Sequence, residues 1–177
     1  MPARVIYADR ALTPLGTIAD AAILVEGSKI AAVGRRGEVP LPPGAQEYSA
    51  RGMSVVPGFV DVHIHGAGGH DVMEATEQTL DAVAARAARH GTTSLLATTV
   101  TASEEHICRS AEGIARYIRT QQAGPAPQAE FLGIHFEGPF LNPARRGAHP
   151  AEWIAEPSVE LLRRFIEAAS GTGRILT

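Results

Sequence analysis

From Met53 to Thr177 the sequence alternates short β-branched runs with helical stretches, and this alternation limits the folds open to it more than any other feature. Ser54–His65 reads as a strand and Gly66-Ala67-Gly68-Gly69 as a glycine-rich loop. A helix is expected from about Glu77 to His90, with Leu80, Val83, Ala84 and Ala87 on one stripe and Gly91 as its stop. Thr92–Thr101 is β-branched and apolar, the pattern of a buried strand. Ser103 can cap a second helix running to about Gln122, with Glu104 and Glu105 in the first turn, where the helix dipole favours acids. A Gly-Pro-Ala-Pro turn at 124–127, a strand at Glu130–Glu137 and a long loop follow. Ser158 can cap a third helix ending near Gly171, and Arg174–Thr177 begins another strand. Such a βαβ series implies a parallel sheet, and a doubly wound sheet and a barrel both fit it.

The first fifty residues differ. Val5-Ile6-Tyr7, Ala21–Glu26 and Lys29–Val33 are short β-rich segments, with Gly27-Ser28 placed as a hairpin turn. A Pro- and Gly-rich stretch at Val39–Gly44 punctuates the chain. Two domains are expected, 1–52 and 53–177.

The chemistry concentrates at two strand ends. In PGFVDVHIHGAGG, residues 57–69, His63 and His65 are one residue apart. The strand period of two puts both on one face, with Cα atoms roughly 6.5–7 Å apart. Two imidazoles at that spacing can converge on one cation, and imidazole suits zinc, iron and similar metals. A hydrogen-bonded core histidine beside an incidental one is the alternative. A position at the C-terminal end of a parallel strand, where sites of α/β folds lie, favours the metal. Asp61 shares that face and reads as a support or a structural residue. In FLGIHFEGPFLNPARRGAHP, residues 131–150, His135 and Glu137 again share a face at a strand end. Glu137 can ligate the same cation, or cap a turn, or pair with an arginine. For His135, ligand, substrate contact and core histidine all stand. Arg145, Arg146 and His149 follow in the loop, where they can meet an anionic substrate or simply be solvated. His70, His90, His106 and Cys108 carry no assigned role; His90 suits a helix end and Cys108 simple packing.

Bulk properties remove other classes. Sixteen basic against 19 acidic residues, a net charge of −3, give no basic surface for nucleic acid. No apolar run approaches a membrane span or a signal peptide. A single cysteine fits a reducing compartment, so a cytoplasmic location is expected.

The two site segments together resemble the amidohydrolase superfamily. An HxH ending the first barrel strand is shared by dihydroorotases, allantoinases and D-aminoacylases. GIHFEGPFLNPARRGAH, with the GAGGHD stretch and the threonine-rich LLATTVTAS, is similar more narrowly to the N-acetylglucosamine-6-phosphate deacetylase family. The resemblance runs along essentially the whole chain. It implies an α/β fold: the first three strands and the start of the fourth of a partial TIM-like (β/α)8 barrel, preceded by a small β-sandwich segment. It implies a divalent metal (zinc, iron or similar) on Glu137, with His63 and His65 offering a second position that some members lack. His149 and the backbone around Ala148 would contact an amino-sugar phosphate, and the complete protein would form a homodimer. The general-base aspartate would lie beyond Thr177, as would further metal-ligating histidines. A barrel takes about 250 residues, and the stretch from Met53 holds about half that; the 177 residues alone are therefore expected to turn over little or no substrate. A cyclic-amide or N-acyl amino acid hydrolase is the rival enzyme, and a non-catalytic remnant the rival of another class.

Overall fold

The computed structural model describes residues 2–121 and 127–176, in two compact units that divide between Pro57 and Gly58. The expected turn at 124–127 falls largely outside the described residues, as does Thr177.

The first unit is a four-stranded sheet of β1 (Arg4–Thr13), β2 (Gly16–Glu26), β3 (Lys29–Arg35) and β4 (Gln46–Val55), in the order β3-β2-β1-β4. β1–β2 and β2–β3 are antiparallel, while β4 pairs in parallel with β1. Glu26 pairs with Lys29 across Gly27-Ser28, and Gly27 has φ +61°, a left-handed turn conformation glycine adopts freely. Alternation along β1 and β2 sorts the apolar side chains onto two faces. Val5, Ala22 and Leu24 pack in one cluster with Val39, and Ala11, Ala21 and Ile23 in another.

The second unit contains β5 (Phe59–Ile64), a small hairpin of β6 (Gly66–Ala67) and β7 (His70–Asp71), α1 (Glu77–Ala88), β8 (Thr92–Thr99), α2 (Glu104–Thr120), β9 (Glu130–Phe136), α3 (Val159–Ala168) and β10 (Gly173–Leu176). β5, β8, β9 and β10 form a parallel sheet in the order β10-β9-β8-β5. The expected strand over Ser54–His65 is not one element. It breaks around Pro57-Gly58: a proline cannot donate to a ladder, and a Cβ on Gly58 would lie 2.2 Å from the Thr93 side chain. The glycine loop after it is also more ordered than expected. Asp71 caps a 3-10 turn at Val72–Glu74 by accepting from the Met73 N–H, and Glu74 reaches back to the Asp71 N–H.

The second and third helices start at their expected caps, and the first at Thr76, for which no cap was expected. Ser103 accepts from the His106 N–H and Ser158 from the Leu161 N–H, while Thr76 caps α1. α2 ends at Thr120, slightly short of expectation. Its buried Ile107, Ala111, Ile114 and Ala115 recur at helical spacing and pack against Leu80 and Val83 of α1 and Leu95, Phe131 and Ile134 of the sheet in a single cluster. Phe165 of α3 stacks on Phe136 at 5.6 Å. Each of these large side chains contributes roughly 1.5–3 kcal/mol by leaving water. The nine named here that are larger than alanine share one cluster and hold the strand ends, and so the site, in register.

One polar contact stiffens this core. Tyr117 lies edge-on to Phe131 and donates its hydroxyl to Asp81 Oδ1 at 2.6 Å, which also accepts from Gln128 Nε2. Burial, then the Asp81 carboxylate, pushes the Tyr117 phenol well above its ordinary range. The folded state therefore holds this proton more tightly than the unfolded chain. The associated stability is whole below about pH 10, the unfolded value, and is lost as pH rises toward the folded one. Tyr117→Phe is expected to lower the unfolding free energy by about 1–1.5 kcal/mol at neutral pH. In urea titrations from neutral into strongly alkaline pH, the wild-type chain should lose stability more steeply than the variant.

Candidate metal centre and adjoining cleft

Because β5, β8 and β9 run parallel, their C-terminal ends lie along one edge of the sheet. β5 delivers His63 and, one residue past its end, His65; β9 delivers Glu137 directly after Phe136. Their donor atoms all lie within 4.8 Å of one another. His63 Nε2 and His65 Nε2 are 3.2 Å apart, and Glu137 Oε2 is 3.1 Å from His65 Nε2 and 3.6 Å from His63 Nε2. These are the edges of a small triangle. Ligands about 2.0 Å from a tetrahedral ion stand about 3.3 Å from each other, so the spacing suits a zinc-like cation.

Hydrogen bonding fixes how His65 faces that triangle. Its Nδ1 is 3.0 Å from the Thr98 carbonyl, which can only accept, so Nδ1 carries a proton and, in the neutral ring, Nε2 presents a lone pair. That lone pair meets the Glu137 carboxylate, another acceptor, across 3.1 Å. Two acceptors so close repel unless a positive charge or a proton lies between them. Metal-bound histidines commonly hold their other nitrogen on a backbone carbonyl in this way.

The neighbours of the triangle sort into distinct roles. His135 is buried, donates from Nδ1 to the Val62 carbonyl at 2.9 Å, and sets its ring edge-to-face with His63 at 4.8 Å. Asp61 accepts from the His63 backbone N–H at 3.0 Å, a local turn contact. Thr98 braces β5 a second time, its hydroxyl accepting from the Ile64 N–H at 2.9 Å. His149 Nε2 is 3.6 Å from Glu137 Oε1, and its Nδ1 lies 2.8 Å from the Thr101 hydroxyl.

A cleft of about 720 Å³ opens beside Glu137 and is lined by His65, Thr101, Arg145, Arg146, Ala148 and His149, among others. Ala148 is exposed on its wall. Arg146 donates to the His149 carbonyl and so closes the loop on itself, whereas Arg145 is exposed. His70 pairs with Glu74 at 3.7 Å and His106 lies on α2, neither among the converging donors. Cys108 is half-buried, its thiol pushed up by burial and by nearby glutamates, which suits packing and not nucleophilic chemistry.

Sequence reading missed Thr98 and Thr101. Both are buried hydroxyls at the end of an apolar strand, and buried hydroxyls need partners. That was the available signal, although the long-range partners of these hydroxyls lie 34 and 48 residues away along the chain.

The model of the amidohydrolase family matches residues 54–175. This chain belongs to the amidohydrolase family. It is 42% identical over 141 residues to the N-acetylglucosamine-6-phosphate deacetylase of Bacillus subtilis, covering 79% of this chain and 35% of that protein. It is 35% identical over 172 residues to the N-acetylgalactosamine-6-phosphate deacetylase of Escherichia coli O157:H7, covering 97% of this chain and 43% of that one. A solved structure of a variant of the Mycobacterium smegmatis N-acetyl-D-glucosamine-6-phosphate deacetylase, in complex with N-acetyl-D-glucosamine-6-phosphate, superposes with a TM-score of 0.86. Its identity is 32%, over 99% of this chain and 43% of that chain. The chain thus spans between a third and a half of the length of these relatives.

Gly138, directly after Glu137, has φ +79°, and a Cβ there would lie 2.0 Å from the Thr101 hydroxyl. Gly138→Ala combines a strained left-handed backbone with a clash and is expected to destabilise the chain by at least about 2 kcal/mol. Denaturant unfolding of the two chains side by side checks this; equal midpoints would contradict the crowding described.

Proposed function

We propose that this chain is the front part of a metal-dependent deacetylase that hydrolyses the acetamide of N-acetylglucosamine-6-phosphate to acetate and glucosamine-6-phosphate. The observation that carries this reading is the convergence of His63 Nε2, His65 Nε2 and Glu137 Oε2 beside an open cleft. The parallel sheet with its intervening helices would be the first three strands and the start of the fourth of a (β/α)8 barrel. The preceding four-stranded sheet would be part of a β-sandwich. The complete protein would pair as a homodimer.

The donor set fits a divalent metal: two imidazoles and one carboxylate at tetrahedral-edge distances, with the His65 lone pair already aimed inward. A cation held there supplies Lewis-acid polarisation of the acetamide carbonyl and a more acidic water. This chain's own residues do the rest of what it contributes. Glu137, His63 and His65 hold the charge at the strand ends. His149 and the backbone at Ala148 would hold the sugar, with Arg145 on the same wall to favour an anionic substrate. The cleft volume is in the range of a small-molecule site. The aspartate that takes up the proton would come from a later strand.

A second reading keeps the chemistry and changes the sugar to N-acetylgalactosamine-6-phosphate. It is favoured by the 35% identity to a deacetylase of that substrate over 97% of this chain. The two sugars differ only at one hydroxyl, so the reacting acetamide meets the same groups.

The test is acetate release by the full-length enzyme that carries this segment, loaded with zinc and offered both hexosamine phosphates, a cyclic amide and an N-acyl amino acid. Turnover is expected with N-acetylglucosamine-6-phosphate, with Glu137→Gln lowering kcat/KM by at least about 100-fold. Preference for the galactose epimer supports the second reading. Hydrolysis confined to the cyclic amide or the amino acid, or no hydrolysis at all, overturns both.

A further inference from the structure

Thr98 near the end of β8 and Thr101 two residues past it each meet a histidine of the site, and they favour opposite tautomers. His65 meets the Thr98 carbonyl, which can only accept, so its proton sits on Nδ1 and its Nε2 is a bare lone pair. His149 meets the opposite chemistry. The Thr101 backbone N–H lies 3.3 Å from His149 Nδ1, and an N–H can only donate. The Thr101 hydroxyl, 2.8 Å from the same nitrogen, can turn its hydrogen either way. The N–H settles the choice: Nδ1 accepts, and the ring proton sits on Nε2.

Nε2 of His149 is 3.6 Å from Glu137 Oε1, longer than a direct hydrogen bond. Both residues line the cleft, so this N–H lies beside the carboxylate at the cleft wall, within reach of an oxygen of whatever enters. The space for the Thr101 hydroxyl exists because residue 138 has no side chain; a Cβ there would stand 2.0 Å from that oxygen. Thr101 is itself buried, 2% exposed, so no water competes for His149 Nδ1 from its side.

We propose that Thr101 is a positioning residue of this site: its N–H and hydroxyl lock His149 as an Nε2–H donor aimed into the cleft beside Glu137. His149 is thereby a donor to a ligand oxygen and not a further metal ligand, while His65 is the reverse. The use of this donor rests on the reading of the cleft as a substrate site; the tautomer itself does not.

Long-range 1H–15N NMR of the 177-residue chain, without metal or substrate, reads both rings directly. At about pH 8.5, above the ordinary imidazole range, His149 should show a protonated Nε2 and a bare Nδ1, and His65 the reverse; a His149→Gln spectrum assigns the signals. Thr101→Val keeps the backbone N–H that decides the tautomer, and should leave His149 protonated on Nε2. Thr101→Ser should retain the wild-type tautomer as well. A wild-type His149 protonated on Nδ1, or Thr101→Val moving the proton there, overturns the assignment. If the valine variant fails to fold, the wild-type and serine spectra still decide. Failure of the deacetylase assay with these tautomers intact would overturn the functional reading and leave the positioning role standing.

Discussion

Everything at the site depends on one close contact. The lone pair of His65 Nε2 and a carboxylate oxygen of Glu137 stand 3.1 Å apart, with His63 Nε2 closing the triangle. No arrangement of hydrogen bonds among acceptors alone makes that contact attractive. The fold nevertheless enforces it. His65 is tied to the Thr98 carbonyl, and Glu137 leaves β9 between buried Phe136 and the crowded Gly138. A site whose donors the fold already holds close together is preorganised for a positive charge, because little rearrangement remains to be made when the charge arrives.

That preorganisation is a property of the parallel sheet. β8 lies between β5 and β9 and pairs with both. It contributes none of the three converging donors, yet Thr98 within it and Thr101 two residues past its end orient His65 and His149. The candidate ligands come from the flanking strands and orientation from the central one and the loop after it. The helices matter indirectly: α1, α2 and α3 bury the other ends of these side-chain rows in a common apolar cluster. A change in that cluster would reach the site through strand register, since a slip of one residue reverses every side chain on a strand.

Much of this was legible in the sequence because it depends on local periodicity. The spacing of His63 and His65, the strand at Glu130–Phe136 and the caps Ser103 and Ser158 follow from period and cap chemistry over a few residues. The break near Pro57 was signalled by Pro-Gly but masked by the apolar run on both sides. The length of β1 and the pairing of β4 with it were not legible, because charged and small residues such as Asp9, Arg10, Arg51 and Gly52 interrupt the β pattern. The roles of His135 and Thr101 depend on partners 73 and 48 residues distant. No local pattern encodes such partners, and only the fold brings them together.

The central claim is that His63, His65 and Glu137 form a metal centre, and equilibrium zinc binding to the chain tests it most directly. The account predicts one zinc ion per chain, lost on replacing either His65 or Glu137 with alanine and retained on replacing the exposed His106 with alanine. Zinc uptake unaffected by the His65 and Glu137 replacements, or no uptake by the wild-type chain, would contradict it.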